Sequence, residues 1–192
     1  MNDQFTKAIV ALWIAWLLYW YASARNVKPT RWRASLGTRA RYRVPAFLTG
    51  ALLIGSPRWL PPILEEEFLP PTLTIGIAGI IAVILGLGFT VWARRNLGRN
   101  WSAEVAVKES HTLVRTGPYR YVRHPIYTGM LGMLIATGLS ISHWITLLAA
   151  IVVFAIGTFI RVRIEERLLR ETFGQSFDEY ARAVPAVIPG IF

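Results

Sequence analysis

Two groups of polar residues could do chemistry in an otherwise apolar sequence. The first is the stretch 115–129, RTGPYRYVRHPIYTG, in which His124 precedes a proline. The second is the pair Arg161 and Glu165, which are four residues apart and therefore share one face of a helix. A guanidinium donates hydrogen bonds to carboxylates and a glutamate accepts hydrogen bonds, so these residues together could bind a small charged molecule. The alternative for the pair is an ion pair that contributes only about 0.3–0.5 kcal/mol.

The apolar residues that surround these groups are gathered in blocks of membrane length. Of 192 residues, 54% are hydrophobic. Residues 5–24 and 72–93 can each cross a hydrocarbon core of about 30 Å, while residues 44–64 form a weaker span that prolines interrupt. The runs 126–141 and 143–160 almost touch, which predicts a helical hairpin. The sequence therefore predicts an all-α integral membrane protein with about five transmembrane helices, including a C-terminal helical hairpin.

Basic residues set the predicted orientation. Residues 25–43 contain seven Lys and Arg and no acid, and residues 94–124 contain seven against two acids. By the positive-inside rule both basic loops and the C-terminal tail are cytoplasmic, and the N-terminus is outside. We predict a single membrane domain in a bacterial inner membrane, with two spans in residues 1–71 and a functional core in residues 72–192.

The net charge and the missing cysteines narrow the function. A net charge of +10 is explained by contact with anionic lipids, so no nucleic acid partner is predicted. The absence of cysteine excludes thiolate chemistry and disulfides. No metal site is predicted.

Local signals predict where the last helices begin and end. Pro125 suits the first turn of a helix, so the stretch before it is a rigid loop that feeds the fourth span. The fifth helix is expected to continue beyond the bilayer and to stop near Gly174. Ser176 and Glu179 fit a capping box that opens a last short helix, 177–183.

Three further sets of residues are given structural roles. Glycines of the third span are expected to allow close helix packing: Gly76, Gly79, Gly86 and Gly88. Tryptophans of the first span are expected to face lipid or the interface: Trp13, Trp16 and Trp20. Charges beside Arg161 and Glu165 are expected to be solvated or to face lipid: Arg163, Glu166, Arg167 and Arg170.

The order of the motifs carries a family resemblance. The motifs are His111-Thr112-Leu113-Val114, Gly117-Pro118-Tyr119, Arg123-His124-Pro125-x-Tyr127-x-Gly129 and Arg161-x-x-x-Glu165-Glu166. As a set they resemble the isoprenylcysteine carboxyl methyltransferase family, with related bacterial membrane methyltransferases and phospholipid methyltransferases, over residues 72–190. The tail departs from the pattern, because only Tyr180 is present where two tyrosines are expected.

The resemblance implies an S-adenosylmethionine-dependent methyltransferase with a cytoplasmic cofactor pocket. It implies that the following residues line the cofactor: Glu104, His111, Thr112, Leu113, Val114, Tyr119, His124, Pro125, Ile126, Tyr127 and Glu165. Arg161 would face the methyl acceptor, which is expected to be lipophilic and to arrive through the bilayer. The implied acceptor group is the carboxylate of an isoprenylcysteine-like substrate.

Three alternatives remain open from the sequence. The acceptor could be a phospholipid amine, in which case Glu165 or His124 would serve as a base. Membrane sterol reductases resemble the family in their C-terminal half and bind NADPH there. A non-catalytic membrane binding protein could retain the loop without the chemistry. Equilibrium binding of S-adenosylmethionine and NADPH would separate a methyltransferase from a reductase, and turnover would separate an enzyme from a non-catalytic protein.

Overall fold

A computed structural model describes residues 3–54, 72–141 and 144–189. Its helices and strands follow one another as α1 Asp3–Ser23, β1 Thr30–Arg33, α2 Leu36–Ile54, α3 Leu73–Leu97, β2 Ala106–Lys108, α4 Pro125–Ile141, α5 Trp144–Phe173 and α6 Gln175–Ala183. Single turns of 3-10 helix cover Gly98–Asn100 and Gly117–Arg120. The predicted helical membrane architecture is confirmed in these coarse terms.

Within the described residues, three helices are long and apolar enough to cross a membrane: Gln4–Ser23, Leu73–Asn100 and Trp144–Phe173. The helix Pro125–Ser140 is apolar but shorter. The predicted second span, 44–64, falls partly on α2 and partly on residues outside the described ones. The count of five spans therefore stays a prediction.

Close packing of α3 on α4 depends on glycines. A side-chain carbon at Gly79 would lie 1.7 Å from the Ser140 hydroxyl, and one at Gly86 would lie 2.7 Å from the Met133 side chain. Such distances are far below any van der Waals contact, so only glycine lets the two helices approach this closely. The Phe5 ring of α1 occupies the space beside Gly76 in the same way, whereas the space beside Gly88 is open. The predicted packing role is confirmed for three of the four glycines.

Trp13 and Trp16 of α1 face the protein, so the expectation that they face lipid or the interface is wrong for these two residues. Trp16 is buried and its indole N–H donates to Thr90 Oγ1 at 2.9 Å. Trp13 donates in the same way to Thr137 Oγ1 at 3.0 Å. Each bond satisfies an indole donor inside the bilayer, where an unpaired N–H is costly. Tryptophan at these positions therefore fixes α1 onto α3 and α4.

A two-stranded ribbon that the sequence did not predict connects the two basic loops. β1 pairs antiparallel with β2, and Arg33 lies opposite Ala106. Beyond the strands, the Ala34 N–H donates to the Val105 carbonyl at 3.1 Å. The ribbon thereby fixes the segment before α2 against the loop that follows α3.

The polar loops meet at one end of the helix bundle. Arg94, near the end of α3, donates to the Ser23 carbonyl at the end of α1 and to the Gly98 carbonyl, both at 2.7 Å. Its guanidinium also lies 4.4 Å from the centre of the Trp101 ring. The bond to Ser23 satisfies a carbonyl in the last turn of α1, where no further intrahelical donor follows. The first and third helices therefore end on the same side.

The end of α5 agrees with one local prediction and corrects another. α5 continues for 30 residues, about 45 Å, and ends one residue before Gly174. Gly174 has φ 53°, a conformation that glycine adopts without strain. The predicted capping box is wrong, because α6 begins at Gln175 with Gly174 as its N-cap and without a side-chain cap. Because the helix begins after Gly174, Ser176 lies within α6 and not at the cap position.

Candidate active site

The central feature of the site is a chain of hydrogen bonds between α4 and α5. The Tyr127 hydroxyl lies 3.0 and 3.1 Å from the two carboxylate oxygens of Glu165. Arg161 Nε donates to Glu165 Oε1 at 3.0 Å. His124 Nδ1 lies 3.5 Å from Glu165 Oε2. The predicted residues of the two motifs are therefore in direct contact, although they are about 40 positions apart in the sequence.

Arg161 is held from several directions. One guanidinium nitrogen, Nη2, donates to the Ala103 carbonyl at 2.9 Å. The guanidinium carbon lies 4.9 Å from the centre of the Tyr42 ring and 5.6 Å from that of Tyr127. Aromatic faces attract a guanidinium and restrict its orientation. With Nε and Nη2 engaged, Nη1 is the guanidinium nitrogen best placed to donate to another molecule.

Glu166 belongs to the site, so the expectation of a solvated or lipid-facing charge is wrong for this residue. Its Oε1 accepts from Arg123 Nε at 2.8 Å and lies 3.1 Å from His124 Nε2. The side chain is only 14% exposed. His124 consequently has a carboxylate beside each ring nitrogen. The doubled glutamate of the motif was the only sequence signal for this role.

The C-terminal segment holds the loop that carries His124. The backbone N–H of His124 donates to the Ala186 carbonyl at 2.8 Å, and that of Arg123 donates to Pro185 at 2.9 Å. The Arg123 guanidinium also donates to the carbonyls of Ala181 and Val184. Residues 181–186 therefore fix the backbone position of His124 directly. The sequence had left the role of this tail open.

Tyr180 makes the second attachment of this segment. Its hydroxyl donates to the Tyr119 carbonyl at 2.6 Å. Burial, which disfavours the phenolate, raises the pKa of Tyr180 to about 12. Burial likewise raises the pKa of Tyr119 well above its ordinary value, and the charge of Glu165 adds to the effect. Both phenols are therefore neutral at physiological pH. Phe177, which replaces the expected second tyrosine, is 1% exposed and packs edge-on against Tyr180.

The segment 111–114 is positioned by α5 and by the loop after α3. The His111 ring packs edge-on against Phe173 with 5.5 Å between ring centres. Asn100 Nδ2 donates to Thr112 Oγ1 at 2.8 Å. Burial and the charges of Lys28 and Lys108 lower the pKa of His111, so its imidazole is neutral at pH 7. Its Nδ1 is buried and has no hydrogen-bond partner among the described residues.

Glu104 lies within a cluster of three arginines. Its Oε1 accepts from Arg39 at 2.8 Å and from Arg43 at 2.6 Å, and its Oε2 lies 3.2 Å from Arg33 Nε. Burial alone would raise the pKa of Glu104, but the hydrogen bond from Arg39 and the charges of all three arginines hold it below its usual range. Both oxygens of this carboxylate thus face arginines. Contact between Glu104 and a cofactor stays a prediction.

A cavity of about 880 Å³ connects these groups to the apolar interior. At its polar end the wall contains most of the residues predicted for the site: Glu104, His111, Tyr119, His124, Ile126, Tyr127, Arg161 and Glu165. Thr112, Leu113, Val114 and Pro125 lie beside these residues and are not part of the described wall. Away from this end the wall is made by apolar faces of α1, α2, α4 and α5. The volume lies within the range of small-molecule sites.

Such an arrangement can bind a charged molecule next to a lipid chain. Its polar end offers imidazole and guanidinium donors and a carboxylate acceptor, and its other end offers mainly apolar and aromatic surface. Low local dielectric strengthens the charged contacts at the junction. The site therefore suits a reaction between a polar reagent and a lipophilic partner.

Comparisons with known proteins agree with the motifs. The profile of a family described as "Phospholipid methyltransferase" matches residues 74–176. The protein-S-isoprenylcysteine O-methyltransferase of Saccharomyces cerevisiae is 34% identical over 142 residues, which cover 67% of this chain and 59% of that protein. The cobalt-zinc-cadmium resistance protein CzcN of Cupriavidus metallidurans is 32% identical over 149 residues, which cover 76% of this chain and 60% of that protein.

A solved structure also matches. The eukaryotic intramembrane Ras methyltransferase ICMT, an isoprenylcysteine carboxyl methyltransferase, aligns with a TM-score of 0.59 at 26% identity. The alignment covers 78% of this chain and 52% of that one. The chain spans about 60% of the length of these two curated relatives. The resemblance predicted from the motifs is confirmed.

Proposed function

This chain belongs to the phospholipid methyltransferase family, and on that premise we propose that it transfers the methyl group of S-adenosylmethionine to a lipophilic acceptor. The observation that carries the proposal is the Arg161, Glu165, Tyr127 and His124 cluster at the polar end of an apolar cavity. The acceptor we propose is the carboxylate of an isoprenylcysteine-like lipid, held by Arg161.

The chemistry of the polar end fits this cofactor. S-adenosylmethionine carries a carboxylate, an ammonium group, two ribose hydroxyls and an adenine, so a site needs donors, an acidic acceptor and apolar or aromatic surface. His111 offers a buried nitrogen without a partner among the described residues, and Glu165 is the acidic acceptor. Tyr119 and Tyr127 offer aromatic surface, and His124 offers ring nitrogens. We propose that these five residues hold the cofactor, with the neighbouring segments 111–114 and 124–127.

The protein's part in the reaction is positioning. When bound, S-adenosylmethionine supplies an electrophilic methyl group on a sulfonium. A carboxylate acceptor is already ionised at neutral pH, so no side chain has to remove a proton from it. Arg161 would orient that carboxylate through Nη1 while Nε and Nη2 stay bound to Glu165 and Ala103. Orientation of two bound reactants can account for a large part of a rate enhancement.

A phospholipid amine is the second candidate acceptor, and the description of the matching family favours it. An amine must be neutral to attack, so a base would be needed. Glu165 and His124 are within 3.5 Å of each other and could share that task. The two candidates therefore differ in whether the site has to remove a proton.

The proposed orientation in the membrane rests on the Lys and Arg residues of the two basic loops. We propose that the polar end faces the cytoplasm and that the N-terminus lies outside, in a bacterial inner membrane. Support comes from the basic loop after α1 and the loop after α3, which meet at this end through Arg94, and from the cytosolic origin of the cofactor. Reporter fusions at both termini would test the orientation, and an active cytoplasmic reporter at the N-terminus would contradict it.

Label transfer is the direct test of the activity. Purified protein in vesicles would be given S-adenosylmethionine with a labelled methyl group, together with a membrane lipid extract or a panel of prenylcysteine analogues and phosphatidylethanolamine. We expect label in a lipid fraction, and transfer that is slower by a factor of about 10² to 10³ with Arg161→Ala. Base-labile label would identify a methyl ester, and base-stable label an N-methyl product. Cofactor binding without transfer to any lipid would contradict the proposed reaction, and binding of NADPH instead would favour a reductase.

A further inference from the structure

The cavity is walled on one side by helices that do not pack on each other. α2 packs on α5, and α1 packs on α3 and α4, whereas α1 and α2 are not a packed pair among the described residues. Val10, Ile14 and Leu17 of α1 line the cavity and are nevertheless 38–57% exposed. On the other side of the gap, Gly50 of α2 also lines the cavity and has no atom near the position of a side chain. The gap therefore opens the cavity toward lipid.

An unequal charge cluster lies where this gap reaches the polar end. Arg33, Arg39 and Arg43 surround the carboxylate of Glu104. In the part of the chain that the structure describes, this leaves two positive charges of the cluster without a matching acid. Arg39 Nε is buried without a hydrogen-bond partner among the described residues. Arg33 and Arg43 are more than half exposed, and Arg43 lines the cavity. The cluster can thus donate to an additional anion.

Adjacent residues connect the cluster to the reaction centre. Tyr42, whose ring lies under the Arg161 guanidinium, precedes Arg43. Ala103, whose carbonyl binds Arg161, precedes Glu104. Neighbouring α-carbons are about 3.8 Å apart. Arg43 and Glu104 are therefore each one residue along the chain from a residue that contacts Arg161. A molecule whose reacting group is at Arg161 can place a neighbouring charged group at Arg43.

We propose, resting on the proposed function, that Arg33, Arg39 and Arg43 around Glu104 bind an anionic group in the headgroup of the acceptor lipid, next to the reacting group that Arg161 holds. The chain of that lipid enters through the gap between α1 and α2. Acidic lipids are then preferred as acceptors. The arginines lie outside residues 74–176, the segment that the family profile matches, so this selectivity would be a property of the N-terminal region. Glu104 keeps the three guanidinium groups together and acts as a positioning residue.

Tryptophan fluorescence can report the entry of a lipid without any turnover. Among the described residues, four tryptophans line the cavity: Trp13, Trp16, Trp20 and Trp101. The others are replaced by phenylalanine to remove their signal: Trp32, Trp59, Trp92 and Trp144. This protein is placed in phosphatidylcholine vesicles that contain increasing fractions of brominated phosphatidylglycerol or brominated phosphatidylcholine. Bromine atoms that enter the cavity quench the remaining emission.

The expected result is a preference for the acidic lipid. Attraction by one arginine near a membrane is about 1 kcal/mol, so brominated phosphatidylglycerol should reach half-quenching at an about five-fold lower fraction than brominated phosphatidylcholine. Arg43→Gln and, independently, Arg33→Gln should each reduce this preference. The matched control is Arg41→Gln, which removes the same charge from an exposed position of α2 outside the cavity wall and should retain it.

Three outcomes would overturn the proposal. The first is equal quenching by the two lipids, and the second is an equal loss in Arg41→Gln and Arg43→Gln, which would indicate only the general surface charge. The third is a preference abolished by inorganic phosphate at constant ionic strength, which would indicate a site for small anions. Calorimetric titration of Arg43→Gln with S-adenosylmethionine separates this question from the proposed function. Loss of the lipid preference with unchanged cofactor affinity supports a headgroup site, whereas absence of cofactor binding in the parent protein contradicts only the methyl transfer.

Discussion

The N-terminal region, residues 3–54, and the C-terminal region, residues 72–189, contribute to one cavity in different ways. In the C-terminal region charged side chains bind backbone carbonyls and each other, as Arg123 does with Glu166, Ala181 and Val184. In the N-terminal region two helices face lipid, and an excess of arginine lies near the surface. The difference indicates that the end proposed for the cofactor is rigid and that the end proposed for the acceptor can vary. A change of acceptor would therefore leave the cofactor site intact.

The largest effect on stability is expected at Arg123, compared with Arg39. The two side chains are 10% and 17% exposed, and each is paired with a carboxylate. Arg123→Ala removes a buried partner of Glu166 and leaves two carbonyls unpaired, so the free energy of unfolding should fall by about 3–5 kcal/mol. Arg39→Ala leaves Glu104 with two other arginines and should cost about 1 kcal/mol. Thermal unfolding followed by fluorescence would measure both, and equal losses would contradict the contrast between the regions.

Arg161 lies where the two regions meet, and its substitution should affect turnover more than binding. Arg161→Ala removes the group proposed to orient the acceptor, so turnover should fall by a factor of about 10² to 10³. Affinity for S-adenosylmethionine should stay near that of the parent protein. Arg161→Lys should also be poor, because an ammonium group cannot bind Glu165, the Ala103 carbonyl and an acceptor carboxylate in the fixed directions of a guanidinium.

Turnover, cofactor affinity and melting temperature of these variants would separate the possible roles of Arg161. Glu165→Gln is the comparison, because it should mainly weaken cofactor binding. If Arg161 and Glu165 only stabilise each other, both substitutions should lower the melting temperature slightly and the double variant should be no worse. Full activity in Arg161→Ala would leave that ion pair as the better account.

Local signals in the sequence were sufficient for the ends of helices. Pro125 begins α4 as predicted, because its missing N–H costs nothing in a first turn. Gly174 ends α5 as predicted, because its positive φ suits glycine. The error at Ser176 came from a capping pattern that the neighbouring glycine turn overrides.

Contacts between distant residues were not predictable in the same way. Tryptophan is enriched at membrane interfaces, which favoured that position for Trp16. Its hydrogen-bond partner Thr90 is 74 positions away in the sequence. Glu104 was predicted from its position in the family pattern, and the arginines around it are 61 to 71 positions earlier in the sequence. Glu166 lies on α5, whereas its partner Arg123 lies in the loop that precedes α4. One sequence contains no signal for such pairs, because they depend on how the helices pack.

His124 should determine the affinity for the cofactor. His124→Ala removes a ring proposed to contact S-adenosylmethionine, and the loss of one contact to a charged group costs about 1.5–3 kcal/mol, which is about 10- to 150-fold in affinity. Calorimetric titration would measure the change. Arg41→Gln, at an exposed position of the N-terminal region, is the control for a general loss of charge. Unchanged affinity in His124→Ala would mean that this residue only supports the entry of α4.

The smallest effect is expected at Tyr180, where the C-terminal segment is attached to the site. Tyr180→Phe removes the hydrogen bond to Tyr119 and should lower the free energy of unfolding by about 1 kcal/mol at pH 8. Since burial raises the pKa of Tyr180 to about 12 from 10.0, the stabilisation is fully present below pH 10 and is lost as the pH rises through 12. The parent protein should therefore lose stability over this interval more steeply than Tyr180→Phe does; Tyr119 also has a raised pKa, so some slope should remain.

The matched control is Tyr42→Phe, an equally buried tyrosine of the N-terminal region. Limited proteolysis at the exposed Arg182 should accelerate in Tyr180→Phe and not in Tyr42→Phe, because of these two tyrosines Tyr180 is the one that attaches residues 175–188 to Tyr119. Equal acceleration in both variants would show that the segment is held by the whole bundle, and the contrast between a fastened C-terminal region and a loose N-terminal one would then be wrong at this contact.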